Sequence, residues 1–360
     1  MPEPLKNAYN QQYITRLAKR IKNAWPIFDD SLFIAKVLDD QWEGKELKTR
    51  MKHISVMMQA CLPQSFSESV DILLASASDF GGFEGMFFPD YIEQFGAEHW
   101  ELSVQALEQL TQYSSSEFAV RPMIIRDAAR MMETMLEWAS HDNYHVRRLA
   151  TEGCRPRLPW AMALPEFKKN PSLILPILDK LKQDESLYVR RSVANNLNDI
   201  AKDNPDIVLD WCKTNIGQHP DTDWIIKHGC RTLLKKACPE TLTLFGYASA
   251  SSVSVNDLAI KNEKLTIGDD LYFSFCLSSE DKALSKLRVE YIIDYVKANG
   301  RCSPKVFKVS ESVYQQRELA FERKHAFRQM STRKHYPGEH KLFIRVNGEV
   351  KKTVDFVLNE

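Results

Sequence analysis

Apolar residues recur at spacings of three and four from about Asn10 to Cys238, as in Ile14, Leu17, Ala18 and Ile21, or in Val70, Leu73, Leu74 and Ala77. That period lays an apolar face along a helix, so the first two thirds of the chain reads as helical. Ser103 to Leu110 continues the pattern, as do Ala128, Met131, Met132, Met135, Leu136 and Ala139. These methionines read as core filler, because an unbranched thioether fits irregular gaps. Proline and glycine punctuate the pattern at Leu62-Pro63, Phe80-Gly81-Gly82, Arg121-Pro122, Arg155-Pro156, Leu158-Pro159 and Asn204-Pro205, so the helices are expected to be short and often interrupted.

Beyond Tyr247 the texture changes to a run of small residues and then to short alternating segments. Leu271 to Leu277, Leu287 to Val296, Pro304 to Val309, Lys341 to Val346 and Thr353 to Leu358 read as strands, and Val346-Asn347-Gly348-Glu349 as a hairpin turn. The division expected is a helical domain over 1–247, a linker over 248–257 and a small β-sandwich over 258–360.

Within the helical part, Val146-Arg147-Arg148-Leu149-Ala150 returns 43 residues later as Val189-Arg190-Arg191-Ser192-Val193-Ala194, each copy preceded by an acidic stretch containing an aromatic residue. A looser third copy begins at Ile226-Lys227-His228, preceded by Asp221 to Ile225, and Phe118-Ala119-Val120-Arg121 reads as a truncated one. A period of this size is that of a HEAT-like array of helical pairs. The fold expected is therefore mainly α, a HEAT-like helical-repeat solenoid followed by a small C-terminal β-sandwich. Six residues after the valine, the first copy has Glu152 and the second Asn195, so the scaffold repeats while the chemistry does not.

At 360 residues, with 44% hydrophobic and 27% charged residues, the composition is that of an ordinary globular protein, and no stretch offers about 18 consecutive apolar residues for a membrane span. The polar N-terminus lacks the features of a secretory signal, and the seven cysteines form no C-x-x-C pair, which together read as a protein of a reducing, cytoplasmic compartment. The formal net charge is zero, yet residues 297–352 hold 14 Lys and Arg against 5 Asp and Glu, so the remainder of the chain is acidic. The C-terminal part has its own electrostatic character.

Counted along a helix containing Val146, residues Val146, Leu149, Ala150 and Gly153 face a core, while Arg148, Glu152 and Arg155 fall together on another face. Arg191, Asn195 and Asp199 form a similar polar stripe in the next copy. Such a set is either a solvated ladder of weak pairs or the floor of a groove. The following Cys154-Arg155-Pro156-Arg157-Leu158-Pro159-Trp160 ends the helix and leaves arginines and a tryptophan on a shaped loop, where an aromatic ring can stack on a base while cations hold phosphates. Glu117 occupies the equivalent turn of the preceding unit. His141, His145, His219 and His228 lack metal-ligand spacing, and no nucleotide-binding or common hydrolase motif occurs.

These residues resemble the bacterial AlkC-type DNA alkylation-repair glycosylases, in the HEAT-like superfamily shared with AlkD. The resemblance rests on Glu117 to Pro122, on Val146 to Trp160 and on Val189 to Asp199, and extends over Phe80 to Tyr91 and Thr332 to Gly338. The last stretch would belong to the immunoglobulin-like C-terminal domain carried by one branch of that family. The resemblance implies a bacterial, monofunctional glycosylase without lyase activity, monomeric, needing no metal or cofactor, that acts on 3-methylcytosine and 3-methyladenine in double-stranded DNA. It implies catalytic roles for Glu152 and Glu117, an accessory carboxylate at Asp199, an orienting or phosphate-holding Arg148, and Trp160 against the lesion or its deoxyribose. Phosphate contacts would come from Arg121, Arg155, Arg157, Lys168, Lys169, Arg191 and Lys227, with Arg333 and Lys334 in a second clamp on the C-terminal domain. The alternatives are a non-catalytic HEAT scaffold and a DNA-damage sensor, both of which would bind without releasing a base.

Overall fold

Several helices in this chain start at side-chain caps, and some stop just before prolines. Asn10 accepts a hydrogen bond from the Tyr13 amide and opens α1 (Gln11–Ala24), and Asp29 does the same for α2 (Asp30–Val37) through Leu32. Then follow α3 (Leu47–Cys61), ending before Pro63, α4 (Phe66–Ala77), α5 (Phe87–Phe95) and α6 (Trp100–Leu110). Next come α7 (Val120–Arg126), α8 (Ala128–Trp138), α9 (Tyr144–Glu152), α10 (Pro165–Lys169) and α11 (Leu175–Leu181). The helical unit closes with α12 (Leu187–Ile200), α13 (Pro205–Asn215) and α14 (Pro220–Gly229). The computed structural model describes residues 3–280, 283–330 and 333–360, so Thr332 of the Thr332 to Gly338 stretch lies outside the described residues.

Two expectations are corrected by how prolines sit. Pro122 does not break a helix but lies in the first turn of α7, where its missing N–H has no intrahelical partner to lose. Asp221 to Ile225 do not precede the third repeat helix but lie inside α14, which Pro220 opens.

The repeat copies stack. α12 packs against both α9 and α14, and Val146, Leu149 and Ala150 are fully buried, as are Val189, Val193 and Ala194. Gly153, just past α9, is where close approach forbids a side chain: a Cβ there would lie 2.6 Å from Val120 and 3.0 Å from Met135. The first arginine of each copy is the latch of the array. Arg147 donates to the carbonyls of His141 and Asp142 in its own turn and pairs at 2.6 Å with Asp184 of the next. Arg190 donates to the carbonyls of Asp184 and Glu185 and pairs with Asp221.

By its internal contacts the chain divides into two units, Met1–Gly229 and Cys230–Glu360. Among its described residues the second contains two short helices, α15 (Arg231–Lys235) and α16 (Pro239–Leu244), and eight strands: β1 (Val253–Ile260), β2 (Lys264–Thr266), β3 (Asp270–Ser279), β4 (Ser285–Val296), β5 (Cys302–Tyr314), β6 (Glu318–Ala326), β7 (Gly338–Val346) and β8 (Glu349–Asn359). One sheet has the order β1-β3-β6 and the other β2-β8-β7-β4-β5, antiparallel except where β2 meets β8. Phe273, Phe275, Tyr291, Ile293, Phe327, Leu342, Ile344 and Phe356 fill the space between them, an immunoglobulin-like sandwich. Asn347 and Gly348, both with positive φ, make the expected two-residue turn between β7 and β8. β1 starts at Val253, inside the stretch that small residues mark as a linker, because Val253 and Val255 alternate into the core.

Candidate active site

α9 delivers Arg148 and Glu152 at one turn's separation, and the chain then stops being helical, so Arg155 swings back onto the end of its own helix. The result is a continuous run of alternating charge assembled from three segments. Glu117, held by the Ser115 hydroxyl, pairs with Arg148. Arg148 also reaches Glu152 at 3.3 Å, Glu152 accepts from Arg155 at 2.7 Å, and Arg155 bonds Asp199 of α12 through both Nε and Nη2 at 2.8 Å. Lys202 closes the run on Asp199 at 2.9 Å.

This is not a solvated ladder, since Glu152 is 5% exposed, Arg155 7% and Asp199 1%. Burial alone would push the Glu152 carboxyl up, but the guanidiniums of Arg148 and Arg155, with the Ser192 hydroxyl at 2.5 Å, outweigh it and hold the group below the ordinary glutamate range. Both arginines are likewise raised against the effect of burial, Arg148 by Glu152 and Glu117, Arg155 by Glu152 and Asp199. The site therefore holds Glu152 as a fixed, ionised carboxylate in a low-dielectric setting, an arrangement suited to stabilising a cation.

Glu152 and Glu117 are placed differently. Both Glu152 oxygens are engaged, Oε1 by the arginines and Oε2 by Ser192. Among the described residues only Oε2 of Glu117 is engaged, and its side chain is about twice as exposed as that of Glu152. Trp160 stands on the loop after α9, 66% exposed, with its backbone at φ 65°, a conformation a bulky residue seldom adopts. Tyr188 lies under the Arg148 guanidinium at 4.9 Å. A cleft of about 530 Å³ opens between α3, α5, the Ser115–Phe118 turn and Ala161 and Met162 of the loop, and two half-buried acids, Asp90 and Glu93, line it. Burial, then Asp90, push the Glu93 carboxyl up to about 7.

The structure thus brings together Glu117, Arg148, Glu152, Arg155 and Asp199, while several phosphate candidates are placed elsewhere. Arg121 is fully buried, its Nε donating to the Met162 carbonyl and its Nη1 to those of Gly153 and Arg155, so it is a strut beneath the loop and not a surface cation. Arg155 is buried between two carboxylates for the same reason. Arg157 is exposed but engaged by Asp203 through two hydrogen bonds of 2.8 and 2.6 Å. Lys169 pairs with Glu166, Lys168 is half-buried, and Arg191 and Lys227 are exposed on α12 and α14. In the second unit Arg333 is half-buried and Lys334 exposed, whereas the neighbouring His335 is 3% exposed in the sandwich interior.

Ser192 and Asn196 were missed, although the sequence carries a signal for them. They and Asp199 lie at i, i+4 and i+7 on α12, and all three face α9: Ser192 binds Glu152, and Asn196 donates to the Thr151 carbonyl at 2.8 Å. The stripe of Arg191, Asn195 and Asp199 is off by one residue at two of its three places.

Fold and site together define a helical-repeat protein with a buried carboxylate–guanidinium centre beside an exposed tryptophan, carrying a C-terminal immunoglobulin-like domain. Residues 90–233 match the family model described as "DNA alkylation repair enzyme", and residues 254–360 match "Uncharacterised protein YhaZ, C-terminal Ig-like domain". The chain is 46% identical over 353 residues to an uncharacterized protein YhaZ of Bacillus subtilis strain 168, covering 98% of each. It is 36% identical to the Pseudomonas fluorescens alkylpurine DNA glycosylase AlkC solved bound to DNA containing an abasic site analog, with a TM-score of 0.96, covering 99% of this chain and 100% of that one. The chain belongs to the AlkC-type DNA alkylation-repair family.

Proposed function

We propose that this protein is a DNA glycosylase that hydrolyses the N-glycosidic bond of cationic alkylated bases, 3-methylcytosine and 3-methyladenine, in duplex DNA. The observation that carries the reading is the buried run from Glu117 through Arg148, Glu152 and Arg155 to Asp199, beside the exposed Trp160. The activity named for the Pseudomonas fluorescens relative supports it.

A base that already carries a positive charge leaves with the bonding electron pair and becomes neutral, so no general acid is required. The sugar is left as an oxocarbenium-like cation, which the ionised carboxylates stabilise. Water then adds at C1′ and gives up a proton. Glu117, with the more exposed carboxylate and an Oε1 that pairs with none of the described residues, is assigned to the water and the sugar; Glu152, fully engaged, holds Arg148 and supplies the fixed negative charge. Asp199 keeps Arg155 in place, and Trp160 lies against the lesion or its deoxyribose. Lys168, Lys169, Arg191 and Lys227, with Arg333 and Lys334 of the second unit, are assigned to phosphates.

The test is base release from oligonucleotide duplexes containing either lesion, read as strand cleavage after alkali. Glu152→Gln should bind the duplex and release little or no base; undiminished release would remove Glu152 from the mechanism. Strand cleavage without alkali would reveal a lyase step, and tight binding by the wild type without any release would favour a damage sensor or scaffold.

A further inference from the structure

We propose that Lys48 is a positioning residue for the Trp160 loop, holding the tryptophan where it can meet the lesion; the inference rests on the glycosylase reading above. Lys48 lies on α3, far in sequence from the site, yet its Nζ donates to the Trp160 carbonyl at 2.6 Å. The same ammonium lies 5.0 Å from the centre of the Phe118 ring, the residue after Glu117. One cation thus ties α3 to two of the three segments that bring functional side chains to the site.

The loop needs such a tie. Its two prolines give no N–H, and its own backbone contributes Ala161 N–H to the Leu158 carbonyl at 3.3 Å and Leu164 N–H to that of Pro156 at 3.2 Å. Arg121 fixes its base and its far side through the Gly153, Arg155 and Met162 carbonyls. Between those anchors the backbone passes through positive φ at Trp160, and Lys48 is the side chain that binds the carbonyl of that very residue. An interaction that fixes a contacting ring acts on the reaction through geometry, where a small misplacement carries a large rate penalty.

The full-length protein and the variants Lys48→Met, Lys48→Arg, Trp160→Ala and the Lys48→Met/Trp160→Ala double variant are compared in single-turnover release from a duplex containing one 3-methylcytosine, at saturating enzyme. Lys48→Met should slow release on the order of 10- to 100-fold with duplex affinity nearly unchanged. Lys48→Arg should restore most of the rate, and Lys48→Met should cost almost nothing further once Trp160 is gone. Hydrogen exchange across residues 157–163 of the free protein should quicken in Lys48→Met. Loss of affinity with the rate intact at saturation would make Lys48 a phosphate contact, equal losses in both backgrounds would uncouple it from Trp160, and unchanged loop exchange would overturn the proposal outright. Should Trp160→Ala, or the wild type itself, show that the glycosylase reading fails, the exchange measurement alone decides whether Lys48 holds the loop.

Discussion

Arg155→Met removes the cation that bridges Glu152 and Asp199, and its cost can be worked from the contacts. The wild-type guanidinium bonds Glu152 at 2.7 Å and Asp199 twice at 2.8 Å, with all three groups nearly inaccessible to water. Methionine keeps most of the volume and supplies no charge. Breaking a buried pair by deleting one partner costs about 3–5 kcal/mol, because the other charge stays buried. Here Arg148 and Ser192 still hold Glu152, and Lys202 still holds Asp199, so the low end is expected, about 3 kcal/mol. At roughly 2–4 °C per kcal/mol for a unit of this size, the helical unit should melt about 6–12 °C lower. The pH dependence separates this account from simple loss of packing. In the wild type the Glu152 carboxyl lies below the ordinary range, so its contribution is complete near neutrality and is lost only as strong acid protonates the folded state. In the variant, burial faces weaker opposition at Glu152 and its carboxyl rises, so the folded state takes up a proton that the unfolded chain does not. Acidification from about pH 7.5 to about pH 5.5 should therefore narrow the gap between variant and wild type. Urea unfolding followed by helical circular dichroism at the two pH values measures it. A deficit below about 1 kcal/mol near neutrality, or one that stays constant or grows on acidification, would refute the buried-relay reasoning.

Arg147→Ala should lose about 2 kcal/mol of stability by cutting the latch to Asp184, with base release per folded molecule unchanged, as thermal melting and single-turnover assays would show. In the sandwich, burial first, then Arg333, His335 and Lys305, push His325 down to about 4, against a smaller opposing effect of Asp270. Neutral in the fold and basic when unfolded, it contributes full stability above about pH 6.5 and loses about 3 kcal/mol as the pH falls toward 4. Its imidazole resonances should not titrate above pH 5. Duplex binding should weaken steeply with salt, and Lys168→Ala or Lys334→Ala should each lower the slope by about one; a flat profile would remove these residues from the phosphate set.

What could be read from the chain followed what repeats. Helical periodicity marked α1, α4, α6 and α8, and the alternation of Leu271 to Leu277 and Leu287 to Val296 marked the central strands β3 and β4. β6 escaped because on the face that carries Leu319, Phe321 and His325 the place between the last two is the exposed Arg323, which breaks the apolar alternation. Glu152 and Glu117 could be found because each stands at a helix boundary beside arginines and prolines. Lys48 and Arg121 could not, since their partners are backbone carbonyls 112 and 41 residues away and carbonyls leave no trace in sequence.

The repeat also conceals a division of labour that only packing reveals. Arg147 and Arg190, identical in both copies, do identical work as latches, whereas Arg148 and Arg191, also identical, do not: the first is half-buried and paired in the site and the second is exposed. The difference arises one helix over. Where the first copy has Leu149 and Gly153, the second has Ser192 and Asn196, and these turn toward α9, where Ser192 satisfies Glu152 and Asn196 binds the Thr151 carbonyl. A carboxylate at position 152 is tolerable inside the stack because the following helix gave up an apolar residue to meet it. Ser192→Leu, which restores the repeat, should therefore leave Glu152 Oε2 without its partner and lower both stability and base release, by about 1–3 kcal/mol for the buried acceptor. Ser192→Ala should cost less, and a Ser192→Leu protein as stable and active as the wild type would show that the second copy's departures do not serve the first.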